Sequence, residues 1–126
     1  MKIKYLFAAL SGPLFALGFA PFSLWPLSIL SICILMYLLE GLGKKESFIT
    51  SFIYGFGYWL CGISWVYVSI HYHGNLSVIS SSLITLLFIS CLSVYMGLFG
   101  IFYNYLSSRS TKDTIIIFPA CWVLIE

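Results

Sequence analysis

Two long stretches of this chain contain no charged residue: residues 5–39 and residues 47–108. Lys2 and Lys4 precede the first, Glu40, Lys44, Lys45 and Glu46 separate the two, and Arg109, Lys112 and Asp113 follow the second. A charge at the centre of a bilayer-spanning helix costs roughly 2.5–3.5 kcal/mol on the insertion scale, so intervals this long without one point to lipid as the solvent. With 61% of the 126 residues hydrophobic and 8% charged, there are too few charges to cover the surface of a soluble domain of this size. The net charge of +2 is small and its carriers are scattered, with no basic run interleaved with stacking residues, which argues against nucleic acid as a partner.

A membrane span needs about 20 apolar residues, and each charge-free interval has room for two. The first interval breaks at Ala20-Pro21-Phe22-Ser23-Leu24-Trp25-Pro26. There two prolines each remove a helix donor and push the preceding residue out of helical geometry. The second breaks at His71-Tyr72-His73-Gly74-Asn75, where polar side chains meet a helix-stopping glycine. The expected fold is therefore all-α and integral to the membrane, with four transmembrane helices at about 5–21, 26–42, 48–71 and 76–106. A further apolar run from residue 114 reads as the start of a fifth, too short to cross before Glu126. Residues 1–126 form one transmembrane unit on this reading.

Within the first span Pro13 predicts a kink, with Ser11 available to re-satisfy the freed backbone. Ala8, Gly12, Ala16 and Ala20, four apart on one face, predict a packing seam. A cleaved signal peptide is the rival reading of these residues, and Pro21 immediately after Ala20 argues against it. If the spans alternate, all six Lys and Arg residues fall on one side. The positive-inside rule then places the N-terminus, the 40–47 loop and the 107–113 loop in the cytoplasm.

Candidate chemistry is sparse. Cys33, Cys61, Cys91 and Cys121 lie in apolar stretches without a CxxC partner or a neighbouring cation to lower a thiol pKa, and read as core residues. His71 and His73 are the only imidazoles. Two residues apart, with no carboxylate or thiol on their side of the membrane, they do not make a metal site and read as amphipathic rings at headgroup depth. No metal and no cofactor is implied. The segment from Gly55 to Ile70 is richer. Gly55, Gly62 and Ser69 recur every seven residues as a second surface for close helix approach. The aromatics around them suit a groove for a lipid's glycerol and chains, with Trp65, Tyr67, Ser69 and His71 as its candidate residues.

Four pieces of the chain, in order, carry a family resemblance. Ala20-Pro21-Phe22 with Trp25-Pro26 resembles the first external turn of bacterial apolipoprotein N-acyltransferases. Gly62-Ile-Ser-Trp-Val-Tyr-Val-Ser-Ile70 with Gly74 resembles their third span, Tyr95-Met96-Gly97-Leu98-Phe99 their fourth, and Pro119-Ala120-Cys121-Trp122 running to Glu126 the start of their fifth. The resemblance implies the N-terminal part of a membrane domain of a bacterial inner-membrane enzyme. In that family a periplasmic nitrilase-like domain moves an acyl chain from phospholipid, through a cysteine thioester, to the N-terminal amine of an apolipoprotein. Phospholipid and apolipoprotein are the partners it implies for the complete enzyme. None of the four cysteines here matches the catalytic one and the periplasmic turns hold no carboxylate, lysine or cysteine, so no catalytic residue is assigned and residues 1–126 alone are expected to be inactive. The alternative is a standalone four-span protein, a transporter subunit or interaction partner; against transport, no ionisable residue lies mid-span.

Overall fold

The computed structural model describes residues 2–19, 23–107 and 114–125, all of whose regular structure is helical. Ala20, Pro21 and Phe22 of the first turn, Arg109, Lys112 and Asp113 of the last loop, and Glu126 lie outside the described residues. Six helices follow in order: α1 (Lys2–Ala16), α2 (Trp25–Leu39), α3 (Lys44–Gly62), α4 (Trp65–His73), α5 (Val78–Ser107) and α6 (Thr114–Ile125). Helix α3 is the centre of the bundle, packed on α5 and on α1, while α2 lies against α1 and α6 against α5.

The bundle has an apolar core that includes Leu35, Leu39, Tyr54, Phe99 and Tyr103, yet many large apolar side chains are exposed as well. Large apolar residues such as Leu6, Phe7, Ile79, Leu83 and Leu87 face outward. The buried polar side chains among the described residues are all hydroxyls: Ser11, Ser31, Ser47, Thr50, Ser51, Ser81, Thr85 and Ser93. Several close back on their own helix, Thr85 Oγ1 donating to the Ser81 carbonyl at 2.8 Å and Ser93 Oγ to that of Ile89 at 2.7 Å. A short hydroxyl satisfied this way lets helices pack closely, whereas the buried Ser47, Thr50, Ser51 and Ser81 hydroxyls have no partner among the described residues.

Among the described residues, only α5 is by itself long and apolar enough to cross a bilayer. At 30 residues it extends about 45 Å. Helices α1 and α2 are apolar but shorter, with 15 residues each. The stretch 48–71, expected as one span, is instead divided: α3 ends at Gly62 and α4 leaves at 53°, the pair passing the same test only when taken together. The cause is local. Gly62 is a poor helix former, and the Ser64 hydroxyl competes for the Cys61 carbonyl at 3.4 Å, a Gly/Ser combination that kinks helices.

The expected seam on α1 is present at Ala8 and Gly12, both buried. A Cβ on Gly12 would collide with the backbone carbonyl of Tyr54 and stand 2.8 Å from the Tyr58 nitrogen. The backbone freed by Pro13 is handled differently from the sequence reading. Ser11 Oγ donates to the Ala8 carbonyl at 3.1 Å, whereas the carbonyl that Pro13 leaves without its helical donor belongs to Ala9. That oxygen sits against Gly57 of α3, where a Cβ would come within 2.9 Å of it.

Of the seven-residue repeat, only Gly55 makes a close approach, toward Met96 and Ser93 of α5; Gly62 and Ser69 are exposed. The working seam has a spacing of four. Ser47, Ser51 and Gly55 on α3 lie along Gly100, Gly97 and Ser93 on α5, and a Cβ on Gly100 would meet the Ser47 carbonyl and the Ser51 side chain. The cysteines also differ from expectation. Cys33, Cys61 and Cys91 are exposed and only Cys121 is buried, because a thiol is apolar enough to face hydrocarbon as readily as a core.

One hydrogen-bonded node joins three helices. Ser31 Oγ of α2 donates to the Ser11 carbonyl of α1 at 2.6 Å and lies 2.8 Å from Tyr54 Oη of α3. Serine has one proton, already committed to Ser11, so the Tyr54 hydroxyl is the donor to Ser31. Ser31→Ala should therefore lower stability by about 1–2 kcal/mol and Tyr54→Phe by about 1 kcal/mol. The double variant should be little worse than Ser31→Ala alone, checked by denaturant titration of all three; full additivity would mean that the two side chains do not act as a unit.

Candidate functional site

The concave feature with a built wall is an aromatic cleft among α1, α3, α5 and α6. Phe15 near the end of α1 and Phe19 in the turn that follows it form one side, with their rings 5.6 Å apart. Phe15 meets Tyr58 of α3 edge-on at 4.9 Å and Trp122 of α6 at 5.8 Å. Leu92, Tyr95, Met96 and Phe99 supply the α5 side, and Phe99 meets Trp122 at 5.4 Å. The volume is about 390 Å³, within the usual range for small-molecule sites. Edge-to-face packing at these distances fixes the rings, so the walls are preformed.

A second cleft of about 520 Å³ continues from it and shares Phe19, Tyr58 and Trp59. It runs past Ala16 and Leu17 to Cys61, Gly62, Ile63 and Ser64, ending at the α3–α4 break. The bend is what opens it, since a straight helix would have carried the 65–73 segment past this face. Trp59 stands in both walls, and its buried indole Nε1–H has no partner among the described residues. A groove with this apolar length can hold a chain; Cys61 and Ser64 line its second part, but no carboxylate, histidine, lysine or arginine is among the lining residues of either cleft to activate them.

The four residues singled out in the sequence all lie on α4, and none lines either cleft. Trp65 is 65% exposed and Ser69 is exposed as well. Tyr67 and His71 stack on each other at 5.7 Å. His71 Nδ1–H donates to the Leu76 carbonyl at 2.9 Å, which clips α4 to the start of α5 and fixes the tautomer. The clefts stop at Ser64, one residue short of Trp65. Phe15, Phe19 and Leu92 carry no signal in the sequence beyond being apolar, and Trp122 stands out only as part of the family-like Pro119-Ala120-Cys121-Trp122 run; Tyr58 and Trp59 lie inside the aromatic passage but not among its candidate residues. Among the described residues no three His, Cys, Asp or Glu side chains gather as a metal site would require.

Comparison with known proteins identifies a family. Residues 11–126 match the family model described as the apolipoprotein N-acyltransferase N-terminal domain. Among similar proteins, the apolipoprotein N-acyltransferase of Vibrio parahaemolyticus is 35% identical over 96% of this chain and 24% of its own length. That of Vibrio cholerae is 34% identical over 98% of the chain and 25% of its own length, and that of Pasteurella multocida 32% identical over 97% and 23%. The chain thus spans about a quarter of the length of the relatives it matches. A family model covering nearly all of the chain, with relatives above 30% identity along its length, shows that this chain belongs to the apolipoprotein N-acyltransferase N-terminal domain family.

Proposed function

We infer that this chain builds the first part of the membrane domain of an enzyme that moves an acyl chain from phospholipid to the N-terminal cysteine amine of apolipoproteins, in a bacterial inner membrane. On this reading α1, α2, the bent pair α3–α4, and α5 cross the bilayer, with the N-terminus in the cytoplasm. Helices α1 and α2 are short for a full crossing, a mismatch that local bilayer thinning and packing on the longer α5 accommodate. Helix α4 lies near the periplasmic headgroups, where Trp65, Tyr67, Ser69 and His71 contact lipid at the end of the groove. The role assigned to the chain is to anchor the enzyme and to hold an apolar chain beneath the site of transfer. It contributes no reacting group.

The observation that carries this reading is the aromatic groove, rigid and apolar, with the unpartnered Trp59 indole N–H in its wall and an end at the α3–α4 bend. The test is to fill it. Leu92→Trp, placed in the acyltransferase carrying this segment, should lower acyl transfer to a model lipoprotein about tenfold, as a misplaced chain does. Leu87→Trp on the outer face of α5, where Leu87 is exposed, should leave transfer unchanged. Equal activity of both variants at equal abundance would remove the groove from the reaction.

A further inference from the structure

A third cleft lies at the opposite end of the bundle. It is an open furrow of about 620 Å³ between α5 and α6, walled by Leu98, Ile101, Phe102, Tyr105 and Leu124, with Lys44 at one end. Its walls are apolar and solvent-facing, Leu98 and Leu124 being exposed. Tyr105 and Lys44 mark its polar end, the ammonium lying 5.7 Å from the phenol ring centroid. From Tyr105 to Leu98 the furrow runs about 10 Å along α5 toward the bundle centre.

Among the described residues, neither Glu40 nor Glu46 forms an ion pair with this cation. Glu46 is turned back to the Gly43 backbone N–H at 3.4 Å, closing the first turn of α3. Glu40 ends α2 and is not a wall of the furrow. No ion pair engages Lys44 among the described residues, and Lys45 adds a second exposed positive charge beside it. The end is held in place by Asn104 Nδ2, which donates to the Leu42 carbonyl at 2.5 Å and ties the 40–43 turn to α5. A cation at a fixed end of an apolar furrow complements one class of molecule available at that depth, a lipid with a negative headgroup and a hydrocarbon tail.

We propose that the furrow between α5 and α6 binds an anionic phospholipid of the cytoplasmic leaflet, with its phosphate at Lys44 and one acyl chain along Leu98, Phe102 and Leu124. The site is separate from the aromatic groove, which opens at the other end of α3. Its assignment to the cytoplasmic leaflet rests on the orientation given above. It would hold a structural lipid at the helix ends rather than a substrate, since it is at the face away from the site of transfer.

The experiment is native mass spectrometry of the full chain, released from micelles supplemented with dioleoylphosphatidylglycerol or dioleoylphosphatidylethanolamine. The expected result is retention of phosphatidylglycerol over phosphatidylethanolamine. Lys44→Ala should weaken phosphatidylglycerol binding about fivefold, in line with one lost charge contact, and Lys44→Arg should keep it. Lys45→Ala removes the same charge from the same turn without touching the furrow and should have no effect. Leu98→Trp should displace the lipid with the charge intact. Equal losses for Lys44→Ala and Lys45→Ala, or equal retention of the two lipids by the native chain, would overturn the site. Periplasmic reactivity of a cysteine at position 45 with lipid selectivity intact would overturn the leaflet assignment alone, separating failure of the orientation from failure of the site.

Discussion

Leucine at position 12 is expected to unseat α1 from the bundle. The Cβ it introduces would overlap the Tyr54 carbonyl and crowd the Tyr58 nitrogen. Both are backbone atoms in the middle of α3, so no side-chain rotation can relieve the contact. Overpacking a well-fitted core costs about 1–3 kcal/mol, and with backbone on the other side we expect the upper end, about 3 kcal/mol. The same helix pair should fail from its other partner. Gly57→Leu would press on the Ala9 carbonyl and the Pro13 ring. Gly62→Ala is the control, because its Cβ would meet only Tyr58 Cε2 at 3.8 Å, ordinary van der Waals contact. Titration of the purified proteins from mild micelles into dodecyl sulfate, followed by tryptophan fluorescence, reads the midpoints. Gly12→Leu and Gly57→Leu should unfold well before Gly62→Ala; coincident midpoints would mean that α1 and α3 do not meet at these glycines.

The consequence of losing this contact reaches the groove. Phe15 on the same helix as Gly12, and Phe19 in the turn just after that helix, form one side of the aromatic cleft. A shift of α1 by the width of a leucine would separate Phe15 from Tyr58 and Trp122 and open the wall. The glycine contact, the hydroxyl node at Ser31 and the aromatic cleft are thus successive levels of one interface, each positioned by the one before it.

Much of the helical layout is written in short-range chemistry. Pro26 stands in the first turn of α2 and the polar cluster at residues 71–75 falls where α4 ends, both by local backbone rules; α1 ends at Ala16, earlier than the expected break. The α3–α4 break is also local, yet it was hidden because Gly62-Ile63-Ser64 sits within continuous apolar sequence and Gly62 had been assigned to a packing face. Periodicity misled in a specific way. Small residues every seven suggested a seam through Gly55, Gly62 and Ser69, but helices this close follow rows spaced by four, and the bend turns Gly62 and Ser69 out of the plane of contact. The cleft could not be read at all. Its walls join Phe15 to Trp122 across most of the chain, and nothing in a single sequence specifies which aromatic residues on separate helices converge. What the sequence did carry was the passage from Gly55 to Ile70 as the place where aromatic and small residues accumulate, within which Tyr58, Trp59 and Ser64 line the groove.

Family membership and geometry bear on different parts of the account. The relatives identify the kind of enzyme, but over only about a quarter of their length. The groove and the Lys44 furrow are features of this segment's own residues. Both acquire a functional meaning only from the way the bundle sits in the bilayer, because the same grooves in the opposite orientation would face the wrong leaflets.

Orientation is therefore the measurement on which the account turns. Single cysteines at Leu24, His73 and Lys45, in a background lacking the four native cysteines, would be treated in intact cells with a membrane-impermeant thiol reagent. The three positions are exposed, and they avoid Ser23 and Asn75, whose positive φ values of 52° and 47° would strain a cysteine. They also avoid the buried Ser47. If α1, α2, the α3–α4 pair and α5 cross with the N-terminus inside, Leu24→Cys and His73→Cys label from the periplasm, and Lys45→Cys labels only after the cells are opened. Labelling of Lys45→Cys in intact cells, or protection of Leu24→Cys and His73→Cys until lysis, would contradict the membrane arrangement and the leaflet assigned to each lipid site.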